Sequence, residues 1–176
     1  MTTPQGMTEA ERRIVAVWAA DCAERVLPVF EAEAPADGRA RDAIDRARAF
    51  ARGDLTAAEE IRRRFVAGRA ARSATSPAGV AAARSAAQAA GVAHMGAHAL
   101  GAAAYAAKAV ELAHPHDPRA RADEVEWQLA ALAPDAAAAL RTLPPVGDDP
   151  AGPLGAGLLA TGVLGEVIRE IQAHLR

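Results

Sequence analysis

The stretch SATSPAGVAAARSAAQAAGVAHMGAHALGAAAYAAKAVELA, residues 73–113, decides the fold. It carries three charges, Arg84, Lys108 and Glu111, and residues 85–107 carry none. That uncharged run is 23 residues long, enough to span a bilayer. Its content argues otherwise. Twelve of the 23 are alanine and three are glycine, Gln88, His94 and His98 interrupt it, and only Val92, Met95, Leu100 and Tyr105 are large and apolar. Such a segment is too weakly apolar for lipid and suits the middle of a helical bundle, where small side chains let backbones approach closely. Ser76 as a cap followed by Pro77 at the first helical position opens it. Gly91 and Gly96 divide it into two helices, about 77–93 and 97–113, packed back to back.

The rest of the composition agrees. Hydrophobic residues make up 51% of 176, and a count gives 50 alanines, which leaves few larger apolar side chains. A net charge of -2 opposes little collapse, and alanine is the strongest helix former. The expected fold is all-α, a compact bundle of six to eight helices around the alanine-rich pair. A β-sandwich and a disulfide scaffold are excluded, the latter because Cys22 is the only cysteine. A buried, inert thiol and a reducing cytoplasm are the expectations for it. Residues 1–7 show neither a basic patch nor an apolar core of a secretory signal, which agrees with that location.

Working outward, Thr8 and Glu11 stand in capping-box spacing, and Ile14, Val15, Trp18, Cys22 and Val26 follow a buried helical face. Pro28 is expected to kink or end this helix. A second helix spans about 37–52 with Gly53 as its stop, and a third begins at a Thr56/Glu59 capping box and carries Ile61, Phe65 and Val66 on its apolar stripe. Arg62, Arg63 and Arg64 are expected to face mostly outward. Asp117-Pro118 starts a further helix burying Val125, Trp127 or Leu129, and Leu132, and another follows at about 135–143. Residues 1–145 read as the bundle. Residues 146–176 read as a linker plus an amphipathic helix from about Leu154 to Arg176, docked on the bundle or used for a homodimer.

Two constellations bear on chemistry. His94 and His98 are four apart, so on one helix they would share a face and reach a metal, with His114, His116 or Asp117 as further donors. Only half of a Glu-x-x-His carboxylate pattern is present, at Glu111 and His114, so no metal and no cofactor is expected. The second constellation is Asp21, Glu31, Asp37, Arg39, Arg41 and Arg48. Bidentate carboxylate–guanidinium pairs there can tie helix one to helix two. The functional reading instead makes a pocket of Trp18, Asp21, Arg41, His94, His98 and Tyr105, with Asp21, Glu31, His94, His98 or Tyr105 as catalytic candidates. No phosphate loop, nucleophile elbow or zinc-ribbon pattern occurs. Residues 37–72 hold ten Arg against six acids, but without interleaved aromatic residues nucleic acid is disfavoured as a partner.

Trp18-Ala19-Ala20-Asp21-Cys22-Ala23-Glu24-Arg25-Val26-Leu27-Pro28-Val29-Phe30-Glu31, with Pro35, Asp37-Gly38-Arg39-Ala40-Arg41, Ala43-Ile44 and the tract from His94 through His98 to Tyr105, resembles an immunity-protein family. Its members are small all-helical bacterial proteins assigned by genome context to protection against polymorphic toxins. The resemblance covers about residues 10–113, and Trp-x-x-Asp-Cys-Ala is its most specific part. Ala40 stands where members often have proline, and Phe50 near where they have tryptophan. The family supplies no catalytic residues to carry over.

Two functions of different class remain at the level of sequence. The first, which the resemblance implies, is a binding protein that blocks a partner toxin sterically without catalysis, using Arg62, Arg63, Arg64, Arg69 and Arg72. The second is a small helical enzyme or small-molecule-binding protein with its pocket between helix one and the central helices.

Overall fold

Thr8 caps the first helix in the computed structural model, which describes residues 5–176 apart from the side chain of Arg64. The Thr8 hydroxyl accepts from the Glu11 amide at 3.2 Å and the Glu11 carboxylate accepts from the Thr8 amide at 2.7 Å, closing the expected capping box. The helix so begun, α1 (Glu9–Glu33), does not end at Pro28. Pro28 lies on the exposed face, where water can reach the carbonyl its ring leaves unbonded. Leu27 and Phe30 beside it are buried in the core, so packing carries the helix onward.

Seven more helices follow among the described residues, with no strand: α2 (Arg39–Arg52), α3 (Ala57–Ala70), α4 (Pro77–Gly91), α5 (His98–Ala113), α6 (Ala120–Ala130), α7 (Pro134–Leu140) and α8 (Gly162–Leu175). Short 3-10 turns occupy Ala71–Ser73 and Leu158–Ala160. Gly53 ends α2 at φ 89°, a left-handed stop that side chains disfavour.

The alanine-rich pair is the centre. The most extensive helix pairing is α4 on α5, and α1 lies across both. Residues 99–107 of α5 are buried on every side, most of them alanine. Gly101 lies directly against Gln88 of α4: a Cβ added there would fall 2.3 Å from Gln88 Oε1, so the glutamine side chain would have to shift. Ser85 hydroxyl donates to the Ala102 carbonyl at 2.7 Å, bonding the two helices in the core.

The last helix begins later than Leu154. Pro153, Gly155 and Gly157 disfavour helix, so residues 154–161 form irregular chain around one 3-10 turn. The apolar stripe of α8 is covered within the chain: Leu164, Val167, Ile168, Ile171 and Leu175 are buried, chiefly against α5. Two glutamines hold the connecting segment. Gln5 donates to the Ala151 carbonyl and accepts from the Leu154 amide, while Gln172 accepts from the Val146 amide and donates to the Pro144 carbonyl.

The helix α6 buries Val125, but Trp127 and Leu129 are only partly covered, and the polar Glu124 and Gln128 take the inner positions. Trp18 Nε1 donates to the Gln128 carbonyl at 2.8 Å, and Gln128 Nε2 donates to the Ala103 carbonyl at 3.1 Å and to Glu124 Oε1 at 3.2 Å. Arg25 Nε closes on Glu124 Oε2 at 2.9 Å and its guanidinium lies over the Trp127 ring. This polar seam fixes α6 to α1 and α5, a use for Trp18 that helical periodicity could not show.

Candidate partner interface

Helix α3 starts at a second capping box, with the Thr56 amide donating to Glu59 at 2.8 Å and the Glu59 amide to the Thr56 hydroxyl at 3.3 Å. Its inner face is set by small residues and one ion pair. Ala67 and Ala70 are buried, α3 packs on α4, and the buried Glu60 carboxylate pairs with Arg46 of α2. An alanine face lets α3 approach closely and leaves no space inside for a phenyl ring. Phe65, expected on the apolar stripe, is therefore turned outward and is 64% exposed.

Around that ring stand cations. Arg62, Phe65 and Arg69 follow at three- and four-residue intervals on one side of α3, and Arg72 continues the line in the 3-10 turn. Arg62, Arg69 and Arg72 are exposed and form no ion pair among the described residues. Arg63 differs. It turns toward α2, reaching Asp42 at 3.3 Å, and lines a crevice with Arg39, Ala43 and Glu60. The side chain of Arg64 lies outside the described residues. What results is a basic strip with an aromatic centre on a rigid helix.

The carboxylate–arginine constellation ties helices. Arg48 of α2 reaches Asp21 at 2.8 Å and also pairs with Glu24, and Arg41 closes on Glu31 with bonds of 2.7 and 2.8 Å. The Arg41 bonds hold the Glu31 carboxyl below its ordinary pKa. Asp37 is held well below its usual range, first by Arg39 and then by Ser73. Glu33, the last residue of α1, accepts from the Ser76 hydroxyl and from the amides of Ser76 and Thr75, which pulls its pKa down to about 2. The end of α1 thereby anchors the start of α4.

His94 and His98 are not on one helix. His94 sits exposed in the turn after α4, and His98 is the first residue of α5, where its Nδ1 donates to Gln88 Oε1 at 2.8 Å. Burial first, and His94 second, push the His98 pKa down to about 4. The glycines at 91 and 96, read as dividing the tract, are what separate them. Among the described residues no group of three or more His, Cys, Asp or Glu side chains is assembled to hold a metal. Cys22 is fully buried, and burial, reinforced by Glu124 and Asp21, drives its thiol pKa well up, so it is no nucleophile. Trp18 is buried in the α6 seam, and Tyr105 faces a separate groove with Arg84 and Lys108. No described helix is long and apolar enough to cross a membrane.

Phe65 was missed as an outward-facing ring because its size places it in the core by default. The signal was available in Ala67 and Ala70, whose side of the helix lies opposite to it.

A family model described as "Imm-5 like putative immunity protein" matches residues 5–135. No curated protein matches. No solved structure matches.

Proposed function

Since the chain belongs to the Imm-5 like immunity-protein family, we propose that it neutralises a toxin by covering it with the outward face of α3. The observation that carries this reading is Phe65, 64% exposed and bordered by Arg62, Arg69 and Arg72, which form no ion pair among the described residues. Tight interfaces concentrate their energy in a few aromatic and arginine side chains, and this strip supplies both on one rigid element. Its charge calls for an acidic surface on the toxin. Steric cover needs no catalytic group, and the carboxylates of α1 at Asp21, Glu31 and Glu33, together with His98, are engaged in holding the fold. We place the action in the cytoplasm, where a fold without disulfides is stable under reducing conditions.

The test begins with the toxin captured by the wild-type chain in its native host and identified by mass spectrometry. Against that purified toxin, Phe65→Ala should weaken binding by about thirtyfold, the size of a hot-spot loss of about 2 kcal/mol. Circular dichroism should be unchanged, because the ring contributes little to the core. Binding unaffected by Phe65→Ala and by charge reversal at Arg69 would place the interface elsewhere.

A further inference from the structure

A second cationic feature lies off the α3 strip and no part of the proposed interface uses it. Between the start of α4 and the flank of α5 runs a groove of about 330 Å³, lined by Thr75, Pro77, Val80, Arg84, Tyr105 and Lys108 among others. Its volume is at the small end of ligand sites, which run from about 300 to 1,000 Å³. Arg84 and Lys108 form no ion pair among the described residues, and no carboxylate lines the groove. Arg84 lies 5.9 Å over the Tyr105 ring, so the ring helps to orient it.

Tyr105 is the second, independent observation. The residue is 3% exposed, its ring is held in the core while it lines the groove, and its hydroxyl, which water can reach, forms no hydrogen bond to another described residue and is free to donate to a ligand. Glu33, which accepts from the lining residues Thr75 and Ser76, forms no ion pair with Arg84 or Lys108. Pro77, Val80 and Ala81 supply an apolar part of the same lining.

We infer that this groove binds a small organic carboxylate, with the anionic group between Arg84, Lys108 and the Tyr105 hydroxyl and a short apolar stem against Pro77, Val80 and Ala81. The acid's two oxygens accept from the guanidinium fork, the ammonium and the hydroxyl, which are all donors. A fully hydrated inorganic anion would meet the same cations but gain nothing from the apolar side.

The sequence makes the test selective. Lys108 is the only lysine and Tyr105 the only tyrosine, so carbon-13 labelling of those two residue types gives one lysine and one tyrosine side-chain spectrum. The full-length protein is titrated at constant ionic strength with sodium hexanoate, inorganic phosphate or sodium chloride. Hexanoate should shift both sets of signals along a saturable curve, and phosphate should bind about tenfold more weakly. Arg84→Gln, at an exposed position that leaves the fold intact by circular dichroism, should weaken hexanoate by about tenfold. Tyr105→Phe should weaken it less, read at Lys108. Shifts that never saturate, that match chloride, or that survive Arg84→Gln unchanged overturn the inference. Phosphate binding as tightly as hexanoate overturns the organic-acid assignment.

Discussion

Glu124 and Arg25 show how unequal the two halves of one ion pair can be. The Glu124 side chain is 2% exposed and that of Arg25 is 39% exposed. Removing the arginine leaves a buried carboxylate whose remaining donor is the neutral Gln128 amide, which costs about 3 kcal/mol, whereas Glu124→Gln keeps the volume and leaves a guanidinium that water can reach. Urea denaturation should therefore rank Arg25→Ala as the more damaging change by about 2 kcal/mol. Equal losses would mean that the seam is held by packing alone. His98 gives the pH dependence. Its folded pKa is pushed down to about 4, while an unfolded histidine takes its proton near about 6.5. Between those values the unfolded chain binds the proton and the folded chain does not, so stability falls as pH drops from about 6.5 to 4. The side chain is partly exposed, so a loss of about 2 kcal/mol is expected. Glu33 adds to the fall from about pH 4.5 toward 2, where its carboxylate is protonated and releases the Ser76 and Thr75 amides. His98→Gln should flatten the upper part of the profile, read as the urea midpoint from pH 7.5 to 4.5. A slope unchanged by that substitution would assign it to other groups.

At the scale of elements, the central claim about α4 and α5 is that alanine is required for closeness and not merely tolerated. Ala103 is fully buried, and its carbonyl accepts from the buried Gln128 of α6. Ala103→Leu adds three carbons there, and overpacking of this kind costs about 1–3 kcal/mol or more. A thermal midpoint lowered by several degrees is expected, and an unchanged one would reveal free volume beside α5. The α8 element behaves in the opposite way, because its large side chains fill space. Ile168 is fully buried, so Ile168→Ala should cost about 2–5 kcal/mol, and a smaller loss would mean that α8 is only loosely docked. Much of this was legible in advance. The capping residues Thr8, Thr56 and Ser76, the Gly53 stop and the alanine-rich centre were marked by local chemistry. Pro28 does not end its helix, and Phe65 is not buried, for a common reason: a proline on a water-facing side is tolerated, and an aromatic ring is excluded when the facing helix is too near. Both depend on what lies across from the residue, which spacing along one helix does not encode.

For the molecule as a whole, the strip on α3 and the groove beside Tyr105 are separate basic features on a chain whose net charge is -2. Arg41, Arg48 and Arg121 are paired with acids, whereas Arg62, Arg69, Arg72, Arg84 and Lys108 form no ion pair among the described residues. The candidate site was half legible. Arg62, Arg69 and Arg72 could be read as exposed from their charge, whereas the turn of Arg63 toward Asp42 and the outward ring of Phe65 required the packed neighbours. An interface governed by this strip should be sensitive to salt: raising ionic strength from about 50 to 500 mM should slow association with the toxin by at least about tenfold, measured by stopped flow. The most direct measurement is calorimetric titration of the identified toxin with the triple variant Arg62→Glu, Arg69→Glu and Arg72→Glu, its helicity matched to wild type. Occlusion through α3 predicts that the Kd rises by at least about a hundredfold and that the toxin regains its activity in the mixture. An unchanged Kd for a folded triple variant would contradict it.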